Sequence, residues 1–190
     1  EWRRRLDLYE RVLDRSGAGR LVNVVAPDKV GFQGTTLDRL RRYAPRVQRL
    51  ARKGATILVP LQKGDLDLPA FHDAVTRALG FTGWVPAIPM KKAATTPQEL
   101  EGYLRAKRPA RVHLLGVGPR SRIAPEVVAA ALDASPSTEV QMDSVLLRAA
   151  VGRGKGPGGT DKPLTVAQDV ARAEALAHRW GGYPAMWRDA

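Results

Sequence analysis

Three polar side chains stand where apolar runs end. Asp28 closes VVAPD, Gln62 closes ILVPLQ, and Asp143 interrupts EVQMDSVLLR between Val140, Met142 and Val145–Leu147. A carboxylate among apolar neighbours loses hydration and must find partners or a chemical task. Asp143, partly desolvated, suits a nucleophile or a general base. Asp28 and Gln62 together offer acceptors and donors, the combination that reads the edge of a purine-type heterocycle. Each residue taken singly also fits a plainer role. Asp28 after Pro27 suits a turn or a helix cap, Gln62 before Lys63-Gly64 a solvated loop, and Asp143 a turn cap or a partner for Arg148. Their recurrence at successive run ends is what points to chemistry.

GVGPRSR, residues 116–122, resembles a phosphate-binding turn: Gly116 and Gly118 let backbone N–H groups approach an anion, and Arg120 and Arg122 add charge. Gly-x-Gly alone also makes an ordinary tight connection. Lys91, Lys92, Arg153 and Lys155 suit contacts to a nucleic-acid backbone, or a solvated basic surface. His72, His113 and His178 lack metal-ligand spacing, and His113 within RVHLLGV reads as a core or inter-element hydrogen-bonding residue. Trp2, Trp84, Trp180 and Trp187 read as packing residues, with Trp84 expected near the face that carries the polar residues.

The elements that must position these groups alternate. An amphipathic helix is expected from Trp2 to Arg15, then an apolar run at 21–28. A helix follows at 35–54, capped at Thr35 or Thr36, broken or kinked at Pro45 and ended by Gly54. Further runs fall at 55–62, 83–89 (weakened by its prolines), 111–117 and 138–146. The intervening helices are expected at 68–79, at 96–108 with Thr96 as N-cap and Pro97 first, and at 124–134. The runs do not alternate polar with apolar, and a helix separates each pair. That is the pattern of a parallel sheet, either doubly wound or a (β/α) barrel, in which chemistry collects at the carboxyl ends of the strands. The chain is read as a single α/β domain over 1–190: a helix at 1–16, five βα units at 21–150, a Gly-rich basic loop at 151–163, and a C-terminal helix and tail at 164–190.

The 190 residues include 31 Lys and Arg against 19 Asp and Glu, a formal net charge of +12, and 44% hydrophobic residues. The apolar content is that of a folded protein. The charge fits either an Arg-rich surface or a footprint for a polyanion, nucleic acid first among them. With no cysteine, disulfides, thiolate nucleophiles and Cys-ligated zinc are excluded within this chain. No apolar run is long enough to span a bilayer, and no signal-peptide pattern opens the chain, so a cytoplasmic location is expected.

The order VVAPD, ILVPLQKG, a strand ending near AIP, HLLGVGPR and VQMDSV resembles the second part of the tRNA-guanine transglycosylase family and of its relatives that insert 7-deazaguanine bases into DNA. The resemblance covers most of residues 21–153, with LLGVG and MDSV the nearest points. It implies a (β/α)8 TIM-barrel type fold, of which about five βα units, equivalent to strands four to eight, are in this chain. The first three strands would lie upstream of Glu1. By position, Asp28 and Gln62 would hold the base, with Ala87 and Pro89 in PAIPMKKA standing where the family has a Gly-Gly-Leu-Ala segment. Asp143 would be the nucleophile, and Lys91, Lys92, Gly116, Gly118, Arg120, Arg153 and Lys155 would bind the nucleic acid. The implied reaction replaces a guanine in tRNA or DNA with a 7-deazaguanine-type base through a covalent aspartyl-glycosyl intermediate. No cofactor is expected, and the family's Cys/His zinc site and its Asp-Ser-Gly-Gly segment are absent from this sequence. Implied partners are the nucleic acid, the incoming base, and a homodimer mate or an upstream barrel half. Two other readings stand beside it: a non-catalytic basic nucleic-acid-binding barrel fragment, and an unrelated barrel enzyme that holds a phosphorylated small molecule at GVGPRSR.

Overall fold

The computed structural model describes residues 1–16, 22–90, 94–117 and 123–142. Asp143, Lys91, Lys92, Gly118, Arg120, Arg122, Arg153 and Lys155 lie outside them, as do Arg148, Trp180, Trp187, His178 and the expected loop and helix at 151–163 and 164–190. The described elements alternate throughout: α1 (Trp2–Ser16), β1 (Asn23–Val25), α2 (Gln33–Arg52), β2 (Thr56–Pro60), α3 (Leu68–Leu79), β3 (Val85–Pro89), α4 (Pro97–Lys107), β4 (Arg111–Leu115), α5 (Ala124–Ala134) and β5 (Glu139–Met142).

The five strands form one all-parallel sheet in the order β1-β2-β3-β4-β5. A parallel crossover is right-handed almost without exception. A series that always steps to the next position therefore places every crossover helix on the same face. The packing agrees. Leu6 of α1, Leu40 of α2, Phe71 of α3, Leu104 of α4 and Val127 of α5 share one buried cluster with Val24, Ile57, Val59, Ile88, Val112 and Leu114 of the strands. The intervening strand residues point the other way. Leu58, Val85 and Ala87 form a second buried cluster, joined by Val25 and Leu115, with no helical member. This is the arrangement of consecutive units in a (β/α) barrel, and no strand-order reversal of the doubly wound kind occurs among the described strands.

Core burial and a row of ion pairs hold α1 and α2 side by side. Leu6 and Trp2 are buried in the core, and acids on α1 at 7, 10 and 14 face bases on α2 and just beyond it at 46, 49 and 53. Arg46 reaches Asp7 at 2.7 Å and Glu10 at 3.1 Å, Arg49 reaches Glu10 at 3.2 Å, and Lys53 reaches Asp14 at 2.6 Å. The matching increments show that the helices run parallel, as helices that each precede a parallel strand must. Each exposed pair contributes little alone; together they fix the register of the two helices.

Several expectations need correction. Helix α2 begins at Gln33, and neither Thr35 nor Thr36 caps it: the N-cap position is Phe32, without a side-chain cap. Thr36 is buried instead, and its hydroxyl oxygen accepts the Lys29 N–H at 2.9 Å while its hydrogen reaches the Phe32 carbonyl at 2.9 Å. Pro45 sits within an unbroken helix. It is exposed, so the carbonyl four residues earlier that it leaves without a donor is on the solvent side. The expected strand at 83–89 does form, as β3, with its prolines inside the ladder: Pro86 pairs with Val59 and Pro89 with Leu115. β1 is shorter than the apolar run that contains it. β5, read from sequence as buried, has an exposed Glu139 and half-buried Val140, Gln141 and Met142. Thr96 caps α4 as expected, in a reciprocal capping box with Glu99.

Candidate functional site at the carboxyl ends of β1 and β2

Asp28 lies three residues beyond β1 and Gln62 two residues beyond β2, at the carboxyl ends of neighbouring strands. Gln62 donates from Nε2 to Asp28 Oδ2 at 2.9 Å and accepts the Gly31 N–H on Oε1 at 3.1 Å. Only this orientation of the amide satisfies both bonds, because an N–H cannot accept and an ionised carboxylate cannot donate. Gly31 has φ +77°, the left-handed region, and this turns its N–H toward Gln62. Gln62 is 5% exposed, which rules out a solvated loop residue.

Behind this pair stands Gln33, which sequence reading did not single out. Its Nε2 donates to the carbonyls of Gln62 (2.7 Å) and Leu66 (2.9 Å), and its Oε1 accepts the Leu66 N–H at 2.9 Å. The first residue of α2 thus splints the loop after β2. No periodic or spacing signal reveals such a strut, because its partners are main-chain atoms about thirty residues away in the chain. Arg39, one turn further along α2 than Thr36, donates to the main-chain carbonyl of Asp28. Burial pushes the Asp28 carboxyl above the ordinary aspartate range, and this outweighs the Arg39 charge and the Gln62 hydrogen bond, which act in the opposite direction. The loop 28–33 is therefore pinned by Thr36, Gln62 and Arg39.

Ala87 is fully buried in the second cluster, on the face of β3 away from the helices, and Pro89 ends that strand half-buried. Both occupy the sheet face on which Leu58 of the neighbouring strand lies. Gly116 follows β4 directly with φ +79°, a left-handed backbone conformation that suits glycine. The structure thus brings Asp28 and Gln62 into contact, and puts Ala87, Pro89 and Gly116 on or at the carboxyl ends of the next two strands.

A cleft of about 560 Å³ opens between the loop after β2 and the start of α4; Lys63, Asp65, Asp67, Thr95, Glu99 and Tyr103 are among its lining residues, and neither Asp28 nor Gln62 is. Lys63 and Glu99 pair across it at 2.8 Å. The Lys63 hydrogen bond, with the Thr96 N–H, holds the Glu99 carboxyl below its usual range. Three acids and one lysine do not make an anion site. Tyr103 is buried, donates or accepts at His72 Nδ1 (2.9 Å), and has its hydroxyl pKa pushed up by burial. His72 packs tilted against Trp84, with ring centroids 4.5 Å apart and planes at 39°. Trp84 precedes β3, at the amino end of the sheet, and belongs to the core. The expectation that it lies near the polar strand ends is therefore corrected. His113 is buried within β4. Among the described residues no group of three His, Asp or Glu is placed to hold a metal ion.

Comparison with protein-family models, with curated proteins and with solved structures returns no match for this chain.

Proposed function

We propose that this chain carries the base-binding and nucleophile-bearing part of a (β/α) barrel enzyme of the tRNA-guanine transglycosylase type. The reading rests on one observation above all: Asp28 and Gln62, 34 residues apart in sequence, meet at 2.9 Å at the carboxyl ends of adjacent parallel strands. A carboxylate acceptor beside an amide donor offers an acceptor–donor edge. Such an edge complements a guanine-type heterocycle, whose ring N–H and exocyclic amine donate and whose carbonyl accepts. Sequential strand order with helices on one face supports the barrel, and the network behind the pair supplies the preorganisation that base recognition needs.

The proposed reaction exchanges one base for another in two displacements. A carboxylate oxygen of Asp143 attacks the sugar anomeric carbon; the bond to the guanine nitrogen breaks, its electron pair goes to the base, and the base takes up a proton. The resulting glycosyl ester is attacked by a ring nitrogen of the incoming 7-deazaguanine-type base, which loses its proton and releases the carboxylate. Two displacements retain the anomeric configuration. Ala87 and Pro89 would flank the base. Lys91, Lys92, Gly116, Gly118, Arg120, Arg153 and Lys155 would contact the polynucleotide, and a homodimer mate or an upstream barrel half would complete the enzyme. The substrate would be cytoplasmic tRNA or DNA, and among the described helices none is long and apolar enough to cross a membrane.

Calorimetric titration of guanine and 7-deazaguanine tests the pair directly. Wild type should bind, and Asp28→Asn and Gln62→Ala should each weaken binding about tenfold or more, the cost of leaving a buried polar group of the base unpaired. Equal affinity across the three proteins would overturn the reading. A second reading, a non-catalytic nucleic-acid-binding unit, draws support from the same contact, because Asp28 and Gln62 already satisfy one another. Asp143→Ala separates the two: loss of base exchange and of the covalent nucleic-acid adduct, with polynucleotide binding kept, supports the enzyme.

A further inference from the structure

We infer that Phe32 is a stacking platform for an unpaired nucleobase of a single-stranded nucleic acid, with Lys29 positioned for the neighbouring phosphate. The inference rests on the base-exchange reading for the class of partner, and adds to it a residue that grips the polymer outside the base pocket.

The β1–α2 loop exposes two large apolar side chains, Val30 at 78% and Phe32 at 59%. Isolated exposed hydrophobic residues are common and need no explanation. Here the backbone that presents them is fixed. Thr36 binds Lys29 N and the Phe32 carbonyl, Gln62 binds Gly31 N, the Phe32 N–H closes a turn onto the Lys29 carbonyl at 3.0 Å, and Arg39 holds the Asp28 carbonyl. Phe32 also fills the N-cap position of α2, where a short polar residue would cap the helix and Phe does not. So the loop gives up a cap and leaves an aromatic ring in water on a rigid mount. A rigid mount removes the ordering cost that weakens binding by flexible loops.

Charge and position indicate what the ring takes. Lys29 Nζ lies over one face of the Phe32 ring, 5.8 Å from its centroid, so a stacked base would take the opposite face with the cation close by. That is the pairing used for single strands, in which the ring stacks a base of any identity and the cation meets the backbone. Phe32 is four residues from Asp28, and Gly31, its neighbour, is bonded to Gln62. The ring and Asp28 thus belong to one short loop, which is bonded to Gln62. The chain's net charge of +12 favours a polyanion over an apolar protein partner at this loop.

The test uses the full chain and a fluorescein-labelled single-stranded oligonucleotide, DNA in one arm and RNA in the other, read by fluorescence anisotropy at several salt concentrations. Phe32→Ala should weaken binding about five- to 140-fold, the range expected for one lost base–aromatic stack, without changing the salt slope. Phe32→Trp should keep the affinity, and its added emission should change when the strand binds. Lys29→Ala should lower the salt slope by about 0.7, one phosphate contact on a single strand. Wild-type affinity in Phe32→Ala overturns the inference, as does the absence of oligonucleotide binding by the wild type. A concentration-dependent dimer that Phe32→Ala abolishes, with oligonucleotide binding unchanged, overturns it by assigning the loop to self-association. The base-exchange reading stands or falls separately, on free-base titration and Asp143→Ala.

Discussion

Gln62 bridges Asp28 and Gly31 through the two ends of one amide, at 2.9 and 3.1 Å, and is itself 5% exposed. Truncating it strands a carboxylate oxygen and a backbone N–H in a half-buried site. Gln62→Ala should therefore cost about 1–3 kcal/mol, read as a lower urea midpoint with an unchanged slope. Gln62→Glu keeps the shape but puts a second carboxylate against Asp28. Its loss of stability should grow as pH rises from acid to neutral, because the two acids cannot both ionise cheaply at that distance.

Asp28 itself carries a signed pH effect. Burial raises its folded pKa above the unfolded value. The folded state therefore binds the proton more tightly, and stability falls as pH rises through the window between the two values. Asp73, Glu99 and Glu139 are shifted down by their cationic or amide partners and contribute the opposite slope. Asp28→Asn keeps an oxygen for Gln62 to donate to. Subtracting its stability–pH curve from that of the wild type isolates the Asp28 contribution. The wild type should lose ground to the variant as pH rises, and a difference that stays flat across the acid range contradicts the burial of the carboxylate.

The strand–helix alternation, the parallel sheet and the proximity of Asp28 to Gln62 were legible because each has a one-dimensional signature: unbroken apolar runs, intervening helices, and polar residues at run ends. The Thr96 cap was legible for the same reason, a Thr followed by Pro and, three residues on, Glu. Thr36 was misread because its sequence setting is that of a cap, while its hydroxyl serves the preceding turn. Gln33 was missed because a side chain that bonds main-chain atoms leaves no pattern. Trp84 was misplaced even though the expected run at 83–89 already puts it at the amino end of its strand, opposite the carboxyl ends where the polar residues gather.

Gly64 is constrained by Gln33. A Cβ at 64 would lie 2.7 Å from Gln33 Cδ and 2.8 Å from its Oε1. A side-chain end often moves aside cheaply, but this one is held by three hydrogen bonds. Gly64→Ala should therefore break at least one of them and cost about 1–3 kcal/mol. Faster exchange of the Leu66 amide is the specific sign, since that N–H loses its acceptor.

Two glycines separate backbone conformation from space. A Cβ added at Gly31 or at Gly102 meets nothing within 4 Å. Gly31 has φ +77°, whereas Gly102 lies inside helix α4 without a positive φ. Gly102→Ala should stabilise the protein by about 0.5–1 kcal/mol, because alanine restricts the unfolded chain and suits a helix interior. Gly31→Ala should destabilise it by about 1–2 kcal/mol, the cost of a left-handed conformation for a residue with a Cβ. It should also turn the Gly31 N–H away from Gln62 and free the amide to rotate. If the Asp28–Gln62 pair reads a base, Gly31→Ala should weaken free-base binding although neither side chain is altered, and Gly102→Ala should leave it unchanged. Thermal unfolding and base titration of the two variants, run side by side, check both halves. Opposite signs in stability with a binding loss confined to Gly31→Ala are the expected result, and equal behaviour of the two would remove the backbone turn from the account of the site.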